Sequence, residues 1–125
     1  MTKLEIDTEA QTVTVDPGIR IHDLIGNILE AGYQTLGVIG ATIGAGIGPF
    51  QGLCGLMIDG LQSVILVTAS GDVVKANKSK NHELFFGIRG AGASFVIITS
   101  ATYCLTKAVN GGQFSTADLI LPPSV

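Results

Sequence analysis

Residues 37–48 read Gly-Val-Ile-Gly-Ala-Thr-Ile-Gly-Ala-Gly-Ile-Gly, with five glycines, no charged side chain and Pro49 directly behind. No other stretch restricts the fold as strongly. Glycine inside a helix costs roughly 0.5–1 kcal/mol relative to alanine. The run shows no helical stripe, and a proline bars simple continuation as a helix. An irregular loop is therefore expected. Glycines also let main-chain N–H groups approach a ligand, because no Cβ stands in the way. Pyrophosphates and flat rings use such access. No lysine follows the run, so it is not a G-x-x-x-x-G-K-[ST] phosphate loop, and no G-x-G-x-x-G stands in a strand-turn-helix setting. Taken alone, the run reads equally as a glycine packing seam in a small sheet.

The flanking sequence supplies strands and helices. Residues 4–6 and 12–15 are short β-branched or alternating runs, read as two strands joined at residues 8–11. Asp16-Pro17-Gly18 signals a turn. Ile21, Leu24, Ile25, Ile28 and Leu29 recur at helical spacing and predict a helix over 20–31, closed by Gly32. A short helical turn is expected within 53–61. Residues 63–69 and 72–76 predict a hairpin around the two-residue turn Ser70-Gly71. Asn81 is expected to cap a helix through Leu84, Phe85 and Ile88, with Glu83 in its first turn. Gly90-Ala91-Gly92 should end that helix. Residues 95–105 read as a further strand, and Asn110-Gly111-Gly112 breaks the chain. The fold class is α+β: a small, mainly antiparallel sheet with short helices, in one domain over 1–125.

At 125 residues the chain fits one small domain. Apolar residues make up 46% and charged residues 14%, with a mean hydropathy of +0.50. Soluble domains average about 25% charged residues. The shortfall reads either as a tight α+β core with few charges or as apolar surface reserved for a partner, through self-association or a complementing chain. The net charge is −3 and no Lys/Arg cluster occurs, which disfavours nucleic acid. No apolar run reaches the ~18 residues of a membrane span. The start lacks a signal-peptide core, so a cytoplasmic location is the default expectation. Cys54 and Cys104 are too few for a disulfide framework or zinc site and are expected as small buried residues; no metal site is expected. His22 and His82 are expected at the surface. No nucleophile–base pair supports hydrolase chemistry.

Six blocks, in order over about 12–105, resemble one family. Val15-Asp16-Pro17-Gly18 with Ala31-Gly32 resembles the "V-x-P-G … l-x-x-x-G" approach to a cofactor loop. The glycine run resembles the loop that lies along a flavin. Gln51-Gly52-Leu53-Cys54-Gly55-Leu56-Met57-Ile58-Asp59 resembles "y-G-L-x-x-D". Val64-Ile65-Leu66-Val67-Thr68-Ala69-Ser70-Gly71 resembles "v-x-l-V-T-A-d-G". Asn81-His82-Glu83-Leu84-Phe85-Phe86-Gly87-Ile88-Arg89-Gly90-Ala91-Gly92 resembles "N-x-D-L-F-W-a-x-R-G-G-G", and Phe95-Val96-Ile97-Ile98-Thr99-Ser100 resembles "F-G-I-V-T-s". Together they resemble the FAD-binding domain of vanillyl-alcohol-oxidase/PCMH-type oxidases in the berberine-bridge-enzyme-like group. The Gly-Ala-Thr-Ile-Gly-Ala-Gly and Ile-Arg-Gly-Ala-Gly wording favours its fungal branch.

The resemblance implies two α+β pieces that clasp FAD, of which this chain is the second, C-terminal portion. Residues 106–125 would lead toward a substrate domain. The R-x-G-G-H-type pyrophosphate loop, the flavin-linked histidine and the catalytic tyrosine or acid would lie outside these residues, so the catalytic residues are unknown and the chain alone is not expected to turn over. The implied cofactor-binding residues are Gly37, Gly40, Ala41, Thr42, Gly44, Gly46, Gly48, Ile58, Asp59, Ile97 and Ile98. Asp59 either holds the loop near the flavin's pyrimidine side or serves as a turn carboxylate. Arg89 either meets a phosphate or braces the Gly90–Gly92 loop. Tyr33 or Gln34 stands where bicovalent members carry a flavin-bonded cysteine, so that second link is not expected. Ala41, Pro49, Cys54 and Val96 also depart from the pattern. The implied activity is oxidation of an alcohol, sugar or amine-like carbon of a small organic substrate in fungal secondary metabolism. Hydride passes to the flavin and O2 reoxidises it. The alternative is a non-redox scaffold or a binder of a hydrophobic metabolite.

Overall fold

Val15, Ala101, Val64 and Ala76 stand in one row across four neighbouring strands, and all four are buried. In chain order the elements are β1 (Leu4–Asp7), β2 (Thr12–Val15), α1 (Ile21–Glu30), β3 (Tyr33–Gln34), α2 (Ile39–Thr42), α3 (Gln51–Cys54), β4 (Leu61–Thr68), β5 (Val73–Asn77), α4 (His82–Ala91), β6 (Val96–Cys104) and β7 (Thr106–Lys107). The structure, a computed structural model, describes residues 1–35, 39–48, 50–94, 96–113, 115 and 117. Gly37, Pro49, Phe95 and the 118–125 tail therefore lie outside the described residues. The main sheet has the order β1-β2-β6-β4-β5, antiparallel throughout, and β3 pairs with β7 in a separate ribbon.

One face of this sheet is the core. Val13, Tyr103 and Leu61 form a second buried row, and Leu66 opposes Ile98. Leu24 and Ile28 of α1 and Phe85 and Ile88 of α4 join the same cluster. The opposite face carries a polar row of Thr14, Thr102, Ser63 and Asn77, with a 2.9 Å bond between the Thr14 and Thr102 hydroxyls. Beside it, Ile97, Val67 and Val73 line up as an apolar row. The register shifts between Ile65 and Leu66, which oppose Ser100 and Ile98 and leave Thr99 as an extra residue. That bulge reverses which side chains face inward. It lets Ile98 share the core face with Ala101 and Tyr103 and sends Ile97 outward, 71% exposed.

Both N-terminal strands, α1, the hairpin and the long last strand form as the sequence patterns predict. Gly32 (φ +81°) closes α1 in the left-handed region, donating to the Leu29 carbonyl. Several details differ. The glycine run is not wholly irregular, since residues 39–42 make one helical turn. The next turn falls at Gln51–Cys54, earlier than expected. The hairpin loop spans residues 69–72 rather than two residues. It is closed by Thr68 N–H to the Asp72 carbonyl at 3.0 Å and Gly71 N–H to the Thr68 carbonyl at 3.0 Å. Asn81 does not cap α4 through its side chain. Its backbone is left-handed and its Nδ2 donates instead to the Lys75 carbonyl at 2.8 Å. Cys104 is exposed rather than buried, because it falls on the outer side of β6, while Cys54 is half-buried. Both histidines are exposed. The α1 stripe is buried only at Leu24 and Ile28, leaving Ile21, Ile25 and Leu29 exposed.

Leu66, fully buried in the interior strand β4, sets the stability of this arrangement. Leu66→Ala is expected to cost about 2–5 kcal/mol in urea unfolding. Ile97→Ala, on the outward side of the same sheet, is expected to stay within about 0.5 kcal/mol of the parent.

Candidate cofactor-binding site

The described part of the glycine loop is pinned at three points. Thr42 turns its side chain into the core, where it accepts a 3.1 Å hydrogen bond from the Tyr103 hydroxyl on β6. After α2 the chain reverses through bonds from Gly44 N–H to the Ala41 carbonyl and from Ala45 N–H to the Thr42 carbonyl, both 3.2 Å. Ala45 (φ +90°) and Gly46 (φ +72°) then take positive φ. A Cβ at Gly46 would overlap the Cβ of Met57, and Met57 N–H donates to the Gly46 carbonyl at 2.9 Å. Only glycine satisfies both the conformation and the contact.

The partner segment, residues 55–60, is a tight turn. Asp59 Oδ2 accepts from Leu56 N–H at 2.9 Å, and Asp59 N–H donates to the Leu56 carbonyl at 2.9 Å. Cys104 N–H donates to the Gly60 carbonyl at 2.8 Å and fastens this turn to β6. Arg89 reaches it from α4: Nε donates to the Ile58 carbonyl at 3.1 Å, and Nη2 pairs with Asp59 Oδ1 at 3.3 Å. Its guanidinium lies 5.9 Å from the centroid of the Phe85 ring. Arg89 thus braces residues 58–59, where the sequence leaves a phosphate contact and a brace of Gly90–Gly92 as the alternatives. The backbone leaves helical geometry at Arg89 and Gly90 (φ +129°). A Cβ on Gly92 would stand 3.0 Å from the Ile43 Cβ, so this end of α4 also packs under the glycine loop.

The expected cofactor residues divide by exposure. Gly40, Ala41 and Gly44 are exposed, Gly48 and Ile58 half-buried, Gly46 and Thr42 buried, and Gly37 lies outside the described residues. Asp59 is exposed and engaged as a turn carboxylate. Ile97 and Ile98 face opposite sides of β6, the second only 7% exposed. Gly46 and Gly48 converge on Met57, which sequence reasoning missed; its one signal is a large apolar residue before Ile58-Asp59. Sequence reasoning also missed Tyr103, whose role needs a contact across 61 positions. A separate hollow of about 230 Å³ lies between α1 and residues 109–113, walled by Ile25, Leu29, Phe50, Leu53 and Val109. None of the expected cofactor residues lines it. Among the described residues no His, Cys, Asp or Glu group has metal-site geometry, and no helix is long and apolar enough to cross a membrane.

Burial pushes the Tyr103 phenol up to about 12, partly offset by its bond to Thr42. An unfolded tyrosine titrates near about 10. The folded state therefore holds its proton longer, so this contribution to stability is complete below about pH 10 and fades as pH rises toward about 12. Absorbance titration of the phenolate should show a late step that Tyr103→Phe removes. The same substitution should cost about 1 kcal/mol at neutral pH in urea unfolding.

Comparison with known proteins places this geometry. The family described as FAD binding domain matches residues 1–77. FAD-linked oxidoreductase srdI of Neurospora crassa is 50% identical over 127 residues, covering 96% of this chain and 25% of that protein. FAD-linked oxidoreductase OXR1 of Pyricularia oryzae is 42% identical, covering 98% of this chain and 26% of that protein. Among solved structures, Physcomitrella patens BBE-like 1 matches with a TM-score of 0.79 and 33% identity, over 86% of this chain and 25% of that chain. A xylooligosaccharide oxidase from Myceliophthora thermophila matches with a TM-score of 0.80 and 29% identity, over 86% of this chain and 24% of that chain. The chain spans about a quarter of the length of these relatives. By sequence and by fold, it belongs to the FAD binding domain family, with the α+β architecture of berberine-bridge-like, PCMH-type oxidases.

Proposed function

We propose that this chain forms the loop-bearing half of an FAD site in a fungal FAD-linked oxidoreductase of secondary metabolism. Gly40 is the observation that carries the reading. Gly40 is exposed, and a Cβ there would meet no heavy atom of the described residues within 4 Å. It sits in a helical turn, where alanine is favoured by about 1 kcal/mol. Neither packing nor a positive φ requires glycine at this position. Close approach of a flat ligand to the main chain does.

The exposed backbone of Gly40, Ala41 and Gly44 would lie against the ring, with Gly46, Gly48, Ile58 and Asp59 setting its support. Exposed Ile97 would supply apolar cover that excludes water, and the main chain of Ile98 would lie beside it, its side chain being buried in the core. Residues 31–71 contain no Lys or Arg, and Arg89 is engaged by Ile58 and Asp59. The phosphates would therefore be met by main chain here and by charge from a complementing segment. The exposed Ile21, Ile25 and Leu29 stripe fits such a partner. On this reading residues 1–125 are the C-terminal portion of a PCMH-type domain. Bound FAD supplies two-electron redox chemistry, accepting hydride from a small organic substrate and returning electrons to O2. A second reading, binding of an apolar metabolite without redox chemistry, draws on the hollow beside α1.

Flavin-fluorescence titration tests the proposal, with the upstream segment of the Neurospora crassa relative supplied in trans. Wild-type chain should bind FAD only with that segment present. Gly40→Leu should unfold at the wild-type urea midpoint yet bind at least about tenfold more weakly, or about 1.4 kcal/mol. Equal affinity in the two proteins would overturn the placement. Thermal stabilisation by apolar compounds and none by FAD would favour the second reading.

A further inference from the structure

We infer that the kinked end of α4 is the positioning element for the glycine loop, and that Arg89 is a positioning residue acting through Asp59 and Met57. For its affinity readout the inference rests on the FAD reading above. The break at Arg89 and Gly90 gives α4 two grips. Gly92 packs under Ile43, directly after the α2 turn. Arg89 holds the Ile58 carbonyl and the Asp59 carboxylate, and the Asp59 turn presents Met57 to Gly46, in the second half. A guanidinium suits this task because one planar group donates to two acceptors at once, whereas an ammonium is a point charge. Phe85, 3% exposed in the core, backs the guanidinium, so the brace is anchored to the sheet rather than to another loop. Asp59 is thereby tied on both carboxylate oxygens, one inside its own turn and one across to α4. The loop's shape depends on groups that need not touch the cofactor.

Amide hydrogen exchange on the full chain, alongside FAD titration with the complementing segment, tests this. In Arg89→Met, exchange at Met57, whose amide is bonded to Gly46, should rise at least about tenfold, while Val64 and Leu66 amides in β4 keep their protection. FAD affinity should fall about tenfold. Arg89→Lys should recover only part of the loss, and Asp59→Asn should reproduce it in milder form without disturbing the core. Unchanged Met57 exchange in both Arg89→Met and Asp59→Asn would overturn the inference. If Arg89→Met loses protection everywhere, Asp59→Asn decides alone. Failure of wild type to bind FAD would count against the cofactor reading and leave the exchange result to judge the brace.

Discussion

The close approach of Gly46 to Met57 holds the site in shape. It combines a positive φ, a contact with no room for a Cβ, and a main-chain bond of 2.9 Å. Through Met57 the glycine loop is tied to the 55–60 turn, and through Gly60 and Cys104 that turn is tied to β6. The loop is therefore a lid on the sheet's end rather than an independent excursion. Its first half is held separately, by the buried bond between Thr42 and Tyr103, also on β6. One strand thus anchors both halves.

The glycines of this chain do two different jobs. Gly46 and Gly92 are small because a neighbour occupies the space where a side chain would go. Gly40 and Gly52 have open space at the same point. The first group builds the loop; the second leaves main chain uncovered. Residues 31–71 contain one charged side chain, Asp59, already bonded to Leu56 N–H and Arg89. Such a surface suits an uncharged flat ring better than a phosphate, which agrees with a cofactor whose phosphate end is held by another part of the protein.

Much of this is legible in the sequence. Alternation and turn chemistry fixed both hairpins, and the apolar spacing with Gly32 fixed α1, because local forces decide those features. Block order, rather than the glycine run itself, carried the family assignment. The bulge at Thr99 was not legible, since one extra residue leaves no mark in a strand of Val, Ile and Thr. It decides nonetheless that Ile98 and not Ile97 reaches the core. The helical turn at Ile39–Thr42 was missed because glycine and β-branched residues oppose it locally. A tertiary bond to Tyr103 sustains it. Asn81 looked like a cap, but a stronger use of its amide, on the Lys75 carbonyl, wins. The sequence leaves Arg89 open between a phosphate and the Gly90–Gly92 loop, because its bonds to Ile58 and Asp59 span 31 and 30 positions.

The strand order has a consequence for how the chain is made. β6 lies in the middle of the sheet yet is the last long strand in sequence, and Thr12 of β2 pairs with Cys104, 92 positions later (104 − 12). At roughly 5–20 residues per second, synthesis of that interval takes several seconds. Throughout it the β1–β2 hairpin lacks the strand that pairs with Val13 and Val15, while β4–β5 can already pair. The nascent chain is therefore two hairpins waiting for a shared central strand. The glycine loop, anchored to that strand through Thr42 and through the Gly60 turn, acquires its shape last.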